Sequence, residues 1–211
     1  MMDLLEAMNW RYAAKKMNGK TVPAEKLDTI LEAIRLSASS MGIQPYKIVV
    51  IDNHELKGKI HELACPQPQV VEGSHLLVFA SWTNVDAAQI DDYIQFITTT
   101  RGVPAESLAP FSEAIKGGLL SKTPEERANW AARQAYIALG SGLIAAATEQ
   151  VDATPMEGFN AAALDEILDL SSKGLHSVSL LALGYRDAEK DFLSKAVKVR
   201  RPHKELFIEL A

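Results

Sequence analysis

Apolar positions at Leu4, Leu5 and Met8, continued by Tyr12, recur at the three- and four-residue spacing that lines one face of a helix; Leu27, Ile30, Leu31 and Ile34 repeat the pattern behind Pro23. The spacing predicts two helices before the first strand. "YKIVVI", Tyr46 to Ile51, is instead short, unbroken and β-branched, as a buried strand requires. Asn53 then stands where it can cap a helix carrying Leu56, Ile60 and Leu63, and "HLLVFASW" from His75 predicts a second strand. From about Asp86 to Leu120 two more helices are predicted. Ile90, Ile94 and Ile97 form the face of one, and Leu108, Phe111 and Ile115 that of the other. Thr123-Pro124-Glu125-Glu126 is a capping box with proline in the first turn, opening a long helix to about Glu149. "TPMEGF", Thr154 to Phe159, reads as a loop, and Asn160 caps a helix through Leu168. "SVSLLALGY" predicts a third strand, and the alternating "LFIEL" near the end a fourth.

Strands that fall early, in the middle and at the end, without strict βαβ alternation, predict an α+β layered fold rather than a doubly wound sheet. Gly140-Ser141-Gly142-Leu143-Ile144-Ala145 does match the dinucleotide fingerprint. That fingerprint works only in the turn between a strand and a helix, where free N–H groups meet a pyrophosphate. Here it falls deep inside the helix capped at Thr123, so close helix packing is the expected role.

Composition narrows the chemistry. The 211 residues suffice for one domain with a substantial core, and a net charge of −5 disfavours general nucleic-acid binding. Cys65 is the sole cysteine, which excludes an internal disulfide framework and any multi-cysteine metal site. The five histidines are scattered, and His54 and His61 are not at metal-binding helical spacing, so no metal is expected. The absence of a signal peptide or long apolar span predicts a cytoplasmic location. No nucleophile elbow or Walker-type phosphate loop occurs.

The remaining candidates lie at opposite ends of the chain. "NWRYAAKK" puts Arg11 and Lys15 four apart, and "KVRR" puts Lys198 and Arg200 two apart. Taken alone, either pair is ordinary solvated surface charge; together they could surround one anion. Between them, "LSASSMGIQP", Leu36 to Pro45, inserts small polar residues into a helix-to-strand junction, and Gln44-Pro45 ends any helix.

In this order the segments resemble the FMN-dependent nitroreductase family: "R-x-x-x-K" at Arg11 and Lys15, the Ser37 to Pro45 run, a polar residue ahead of "SHLLVF", "P-x-E-G-F" from Pro155 to Phe159, and "K-V-R-R-P". The resemblance spans about Asp3 to Leu210. It implies a single FMN-binding domain over residues 1–211, with a mostly antiparallel sheet flanked by helices, a helical excursion at about 86–120 above the active site, and a C-terminal strand exchanged in a homodimer. It also implies hydride transfer from NADH or NADPH through flavin N5 to nitroaromatics, quinones or related acceptors, by a ping-pong cycle with no essential catalytic side chain. Arg11, Lys198 and Arg200 would hold the FMN phosphate, beside Tyr12 and Ala13. Lys15 would lie by N1 and O2, Gln69 on the pyrimidine edge, and Pro155, Met156, Glu157 and Gly158 near N5. Ala38, Ser39, Ser40 and Gly42 would reach the other subunit's flavin. Phe111 is either a stacking residue over the substrate or a core aromatic. Tyr12-Ala13 stands where the family often has His-Ser, Gly42 where Asn is frequent, and Gln69 where some members carry Lys. A dehalogenating or flavin-destroying branch of the same fold, or a non-catalytic flavin-binding protein, are the alternative readings.

Overall fold

Four strands carry the core in the computed structural model, which describes residues 3–210: β1 (Tyr46–Ile51), β2 (His75–Trp82), β3 (Asp152–Met156) and β4 (Leu175–Gly184). They lie in the order β1-β2-β4-β3, and every neighbouring pair is antiparallel. Helices cover both faces of this sheet, which explains why its central strands read as continuous apolar runs rather than as alternation. On one face Leu77, Phe79, Leu181 and Leu183 pack with Ile30 and Ile34 of α2 (Ala24–Arg35) and with Ala135, Ala138 and Leu139 of α7 (Pro124–Thr148). On the other, Leu76, Val78, Leu180 and Ala182 meet Ile60 of α3 (His54–Leu63), Val70 of α4 (Gln69–Glu72) and Leu164 of α8 (Ala161–Leu168).

Side-chain caps set the helix starts. Asn53 accepts the Leu56 N–H at 2.8 Å, Asn160 accepts the Ala163 N–H at 3.1 Å, and Thr123 and Glu126 close a reciprocal capping box at the head of α7. The 140–145 glycine pattern lies inside α7, and a Cβ on Gly142 would sit 3.0 Å from the Ile34 side chain. Close approach of α2 to α7, not phosphate binding, is what that glycine serves.

Between β2 and α7 the chain leaves the sheet as α5 (Ala87–Arg101) and α6 (Ala109–Leu120), which bury Ile90, Ile94, Ile97, Ile115 and Leu119 against each other. Phe111 is 38 % exposed, so it is not the core aromatic of this pair.

Two expectations are overturned. "TPMEGF" is not wholly loop, because Thr154 to Met156 belong to β3, whose register pairs Met156 with Leu180. "LFIEL" is not a strand of its own chain: its Leu206 ends a one-turn α9 (His203–Leu206), and residues 207–210 follow without strand pairing and exposed. α1 (Leu4–Trp10) is also shorter than the apolar pattern suggested; it ends before Tyr12 and leaves Leu4, Leu5 and Met8 on the surface.

Gly142→Leu should lower stability by about 1–3 kcal/mol through overpacking against Ile34. Gly117→Ala, at a helix position with open space around it, should instead raise it by roughly 0.5–1 kcal/mol by restricting the unfolded chain. Urea unfolding monitored by circular dichroism gives both values.

Candidate functional site

Where α1 ends, Arg11 turns extended, and the chain runs as a loop from there to about Asn18. This loop is stitched to the segment that follows β4. Asn18 donates to the Tyr185 carbonyl at 2.9 Å, Asp187 donates to the Lys16 carbonyl at 3.0 Å, and Met17 and Arg186 form an isolated β-bridge. Two side chains complete the seam. Arg186 forks onto the buried Asp152 carboxylate, with its Nε at 2.8 Å from Oδ1, and its guanidinium stacks over both Trp10 and Tyr12 at 4.2 and 4.4 Å. Asp191, also buried, accepts the Tyr12 hydroxyl at 3.0 Å and the Lys15 N–H at 2.7 Å.

The seam brings both ends of the chain to one place. Arg11, Tyr12, Ala13, Lys15, Lys198 and Arg200 all line a single cavity of about 510 Å³, whose described lining contains no carboxylate. Lys198 spends its ammonium on the Met8 and Arg11 carbonyls at the exposed end of α1. Burial, followed by the nearness of Arg200, lowers the pKa of Arg11; burial, then Arg11 and Arg200, lowers that of Lys198. Cations that weaken one another in this way form a site that gains by taking up an anion. The Arg11 Nε is buried without a partner, and among the described residues neither Tyr12 nor Ala13 has an acceptor for its backbone N–H. Residues with unspent donors and residues with unspent charge therefore line the same cavity.

Deeper in, Gln69 is 2 % exposed; its amide nitrogen donates to the Ala14 carbonyl at 2.9 Å, while its Oε1 is buried without a donor. Thr154 of β3 donates to the same Ala14 carbonyl at 3.0 Å, which ties the loop to the sheet edge. Met156 packs into the core, and Pro155 is half-buried on the edge strand. After them Glu157 and Gly158 emerge at the surface, and among the described residues neither backbone N–H has an acceptor. No atom of the chain comes closer than 3.5 Å to a Cβ built on Gly158.

The junction residues lie elsewhere. Ala38 and Ser40 are exposed, the Ser40 N–H donates to Gln134 of α7 at 2.7 Å, and the Ser39 hydroxyl accepts the Gln44 N–H at 3.0 Å. Met41, Gly42 and Gln44 all have positive φ, so this is a tight, left-handed junction. Tyr93 of α5 donates to the Met41 carbonyl at 2.8 Å, and a Cβ on Gly42 would collide with its hydroxyl. Within one chain, then, residues 38–42 face the α5 and α7 surfaces and do not line the cation cavity.

The sequence missed Asp152, Arg186, Asp191 and Tyr136, whose hydroxyl reaches Glu157 at 2.7 Å. An aspartate opening the otherwise apolar β3 was the one available hint. Among the described residues no group of three His, Cys, Asp or Glu side chains could hold a metal, and no helix is long and apolar enough to cross a membrane.

Comparison with known proteins supplies the context for this geometry. A family model described as the nitroreductase family matches residues 8–185. The "Putative NAD(P)H nitroreductase YfkO" of Bacillus subtilis is 34% identical over 204 residues, covering 87% of this chain and 89% of its own. The major NAD(P)H-flavin oxidoreductase of Aliivibrio fischeri is 30% identical over 203 residues, covering 93% of each. Among solved structures, a "putative nitroreductase in complex with FMN" from Exiguobacterium sibiricum superposes with a TM-score of 0.83 at 20% identity, covering 100% of this chain and 98% of that one. A Bacillus subtilis structure, "putative nitroreductase ydfN", gives 0.86 at 20% identity, covering 98% of both.

Asp191 yields a pH-dependent consequence. Burial pushes its carboxyl up, but donors from Leu193, Lys15 and Tyr12 outweigh this and hold it below the ordinary carboxylate range. A folded-state value below the unfolded one, about 3.9, gives stability that is present above that value and lost as the pH falls through the folded value. Asp191→Asn should therefore be less stable at pH 7 and show a shallower loss of stability on acidification than the wild type. Urea midpoints measured across the acid range will show this.

Proposed function

The chain belongs to the nitroreductase family, and from that premise we propose that it is an FMN-dependent oxidoreductase taking electrons from NADH or NADPH and reducing nitroaromatics, quinones or related small acceptors. The observation that carries the cofactor assignment is the cation cavity: Arg11, Lys15, Lys198 and Arg200 around one space, without a carboxylate and with the buried Arg11 Nε unpartnered. A doubly charged phosphate satisfies both the charge and the open donors.

The remainder of the site fits the rest of FMN. The free Gln69 Oε1 is an acceptor in want of a donor, which the ring imide N–H of a flavin supplies. Lys15, fixed through its backbone by Asp191, provides a positive charge where a reduced flavin becomes anionic. The open Glu157 and Gly158 N–H groups are donors suited to a ring nitrogen, and Pro155 and Met156 set the edge strand from which they project. Bound FMN would carry hydride between the nicotinamide and the acceptor; the chain's own residues bind, orient and tune it. Chain 1–211 acts as a single FMN-binding domain with α5 and α6 as the walls of its acceptor side. Dependence on NAD(P)H goes with a cytoplasmic location.

The homodimer belongs to the same proposal. Because residues 38–42 do not line their own cavity, Ala38, Ser39, Ser40 and Gly42 would complete the partner's site. The exposed Ile137 and Ile144 of α7, with Leu206, Phe207, Ile208 and Leu210 at the C-terminus, are the apolar surface such an interface covers. β1 is an edge strand, and the partner's C-terminal segment would pair there.

Purified protein should be yellow, bleach on anaerobic addition of NADH or NADPH, and regain its colour with a quinone. A colourless protein that takes up no FMN overturns the reading. Arg11→Ala and Arg200→Ala should each weaken FMN by about 10- to 100-fold, the worth of a hydrogen bond to a charged group, as read by flavin fluorescence. Sedimentation should give a dimer for the wild type; Ile208→Glu with Leu210→Glu should shift it towards monomer and lower flavin content in parallel.

A further inference from the structure

We propose that the Tyr136–Glu157 hydrogen bond is a tether by which the long helix α7 aims the open backbone N–H groups of the 157–158 turn, making Tyr136 a positioning residue for the cofactor. This rests on the FMN reading above and deepens it. The Tyr136 hydroxyl points off the middle of α7 to Glu157 Oε1 at 2.7 Å and to the Val178 carbonyl of β4 at 3.0 Å, so one group spans helix, sheet and turn. Its pKa is pushed up to about 12, by burial first and the Glu157 carboxylate second, so the proton that makes the bond is held through the neutral range.

The turn itself needs such a hold. β3 stops at Met156, and beyond it no strand pairing fixes the backbone. The Gly158 carbonyl is held only weakly, by Gln67 Nε2 at 3.3 Å and the Cys65 thiol at 3.9 Å, and Asn160 is anchored to the Ala64 carbonyl at 2.7 Å. Those contacts fix the far side of the turn. On the near side, Glu157 is exposed, and its carboxylate has the Tyr136 hydroxyl as its only hydrogen-bond donor among the described residues. A peptide donor placed by a flexible glycine turn loses its aim by rotating, and small losses of aim are expensive in a transfer step. The tether removes that rotation without touching the phosphate cavity.

The test uses the full-length protein with Tyr136→Phe, Glu157→Ala, Glu157→Gln and the Phe/Ala double variant. Amide exchange of Phe159, whose N–H closes the turn on the Glu157 carbonyl at 2.9 Å, measured on FMN-free protein, should speed up about tenfold in Tyr136→Phe and in Glu157→Ala. In Glu157→Gln, whose amide oxygen accepts the same bond, it should stay near the wild-type rate. With FMN bound, kcat for quinone reduction should fall about tenfold in the first two, while the NADH KM and FMN retention change less than twofold, and the double variant should be no worse than either single one. Wild-type exchange and kcat in Tyr136→Phe overturn the proposal, as does a Glu157→Gln defect equal to that of Glu157→Ala, which would assign the effect to charge. If the wild type itself binds no FMN, the functional reading falls, and the exchange rates still decide whether the tether exists.

Discussion

The N-terminal side of the candidate site is organised by one ion pair, a half-buried guanidinium on a buried carboxylate. Asp152 opens the edge strand β3 opposite Gly184, the last residue of β4, and Arg186 lies two residues beyond, so the fork between them locks one end of that sheet pairing. The same guanidinium is the platform on which Trp10 and Tyr12 lie, and Arg11 stands between those two aromatics in the chain. Removing the carboxylate would leave a guanidinium with little water around it and no partner, which costs far more than a surface pair is worth. The pair contributes registry more than stability: it fixes which part of the N-terminal loop meets which part of the sheet.

From that anchor the architecture distributes its work by rigidity. The sheet and α7 are buried and closely packed, with Gly142 allowing α2 to lie against α7. The groups proposed to bind sit on loops tied to this core: 11–15 by Asp191, 157–158 by Tyr136, and 39–44 by Gln134 and Tyr93. Each loop is tied by a hydrogen bond to a side chain of the scaffold, and the first two leave backbone donors unspent.

Much of this was legible in the residues. Strands β1, β2 and β4 are dense in β-branched and aliphatic residues, and the capping boxes and asparagine caps mark helix starts through purely local chemistry. β3 was hidden because Pro155 argues against a strand; it is tolerated since β3 lies at the sheet edge. "LFIEL" misled for the converse reason, since alternation indicates a segment able to pair but not whether it pairs within its own chain. The cation pairs could be read because unpaired charge is conspicuous. Their organisers could not: Asp191 and Lys15 are 176 residues apart, and Asp152 and Arg186 are 34 apart, and nothing local in either partner announces the other.

The closure of the two termini over one cavity also orders events in time. Lys198 holds the carbonyls at the end of α1, and Arg200 joins Arg11 only once the residues between them have been made. At synthesis rates of about 5–20 residues per second, the first cation waits roughly 10–40 s for the last. During that interval the sheet and its helices can already assemble, while the cation cavity is half built. On the proposed assignment, cofactor loading waits for the 198–200 segment, and a chain lacking that segment would fold around a pocket with a weakened hold on its anion.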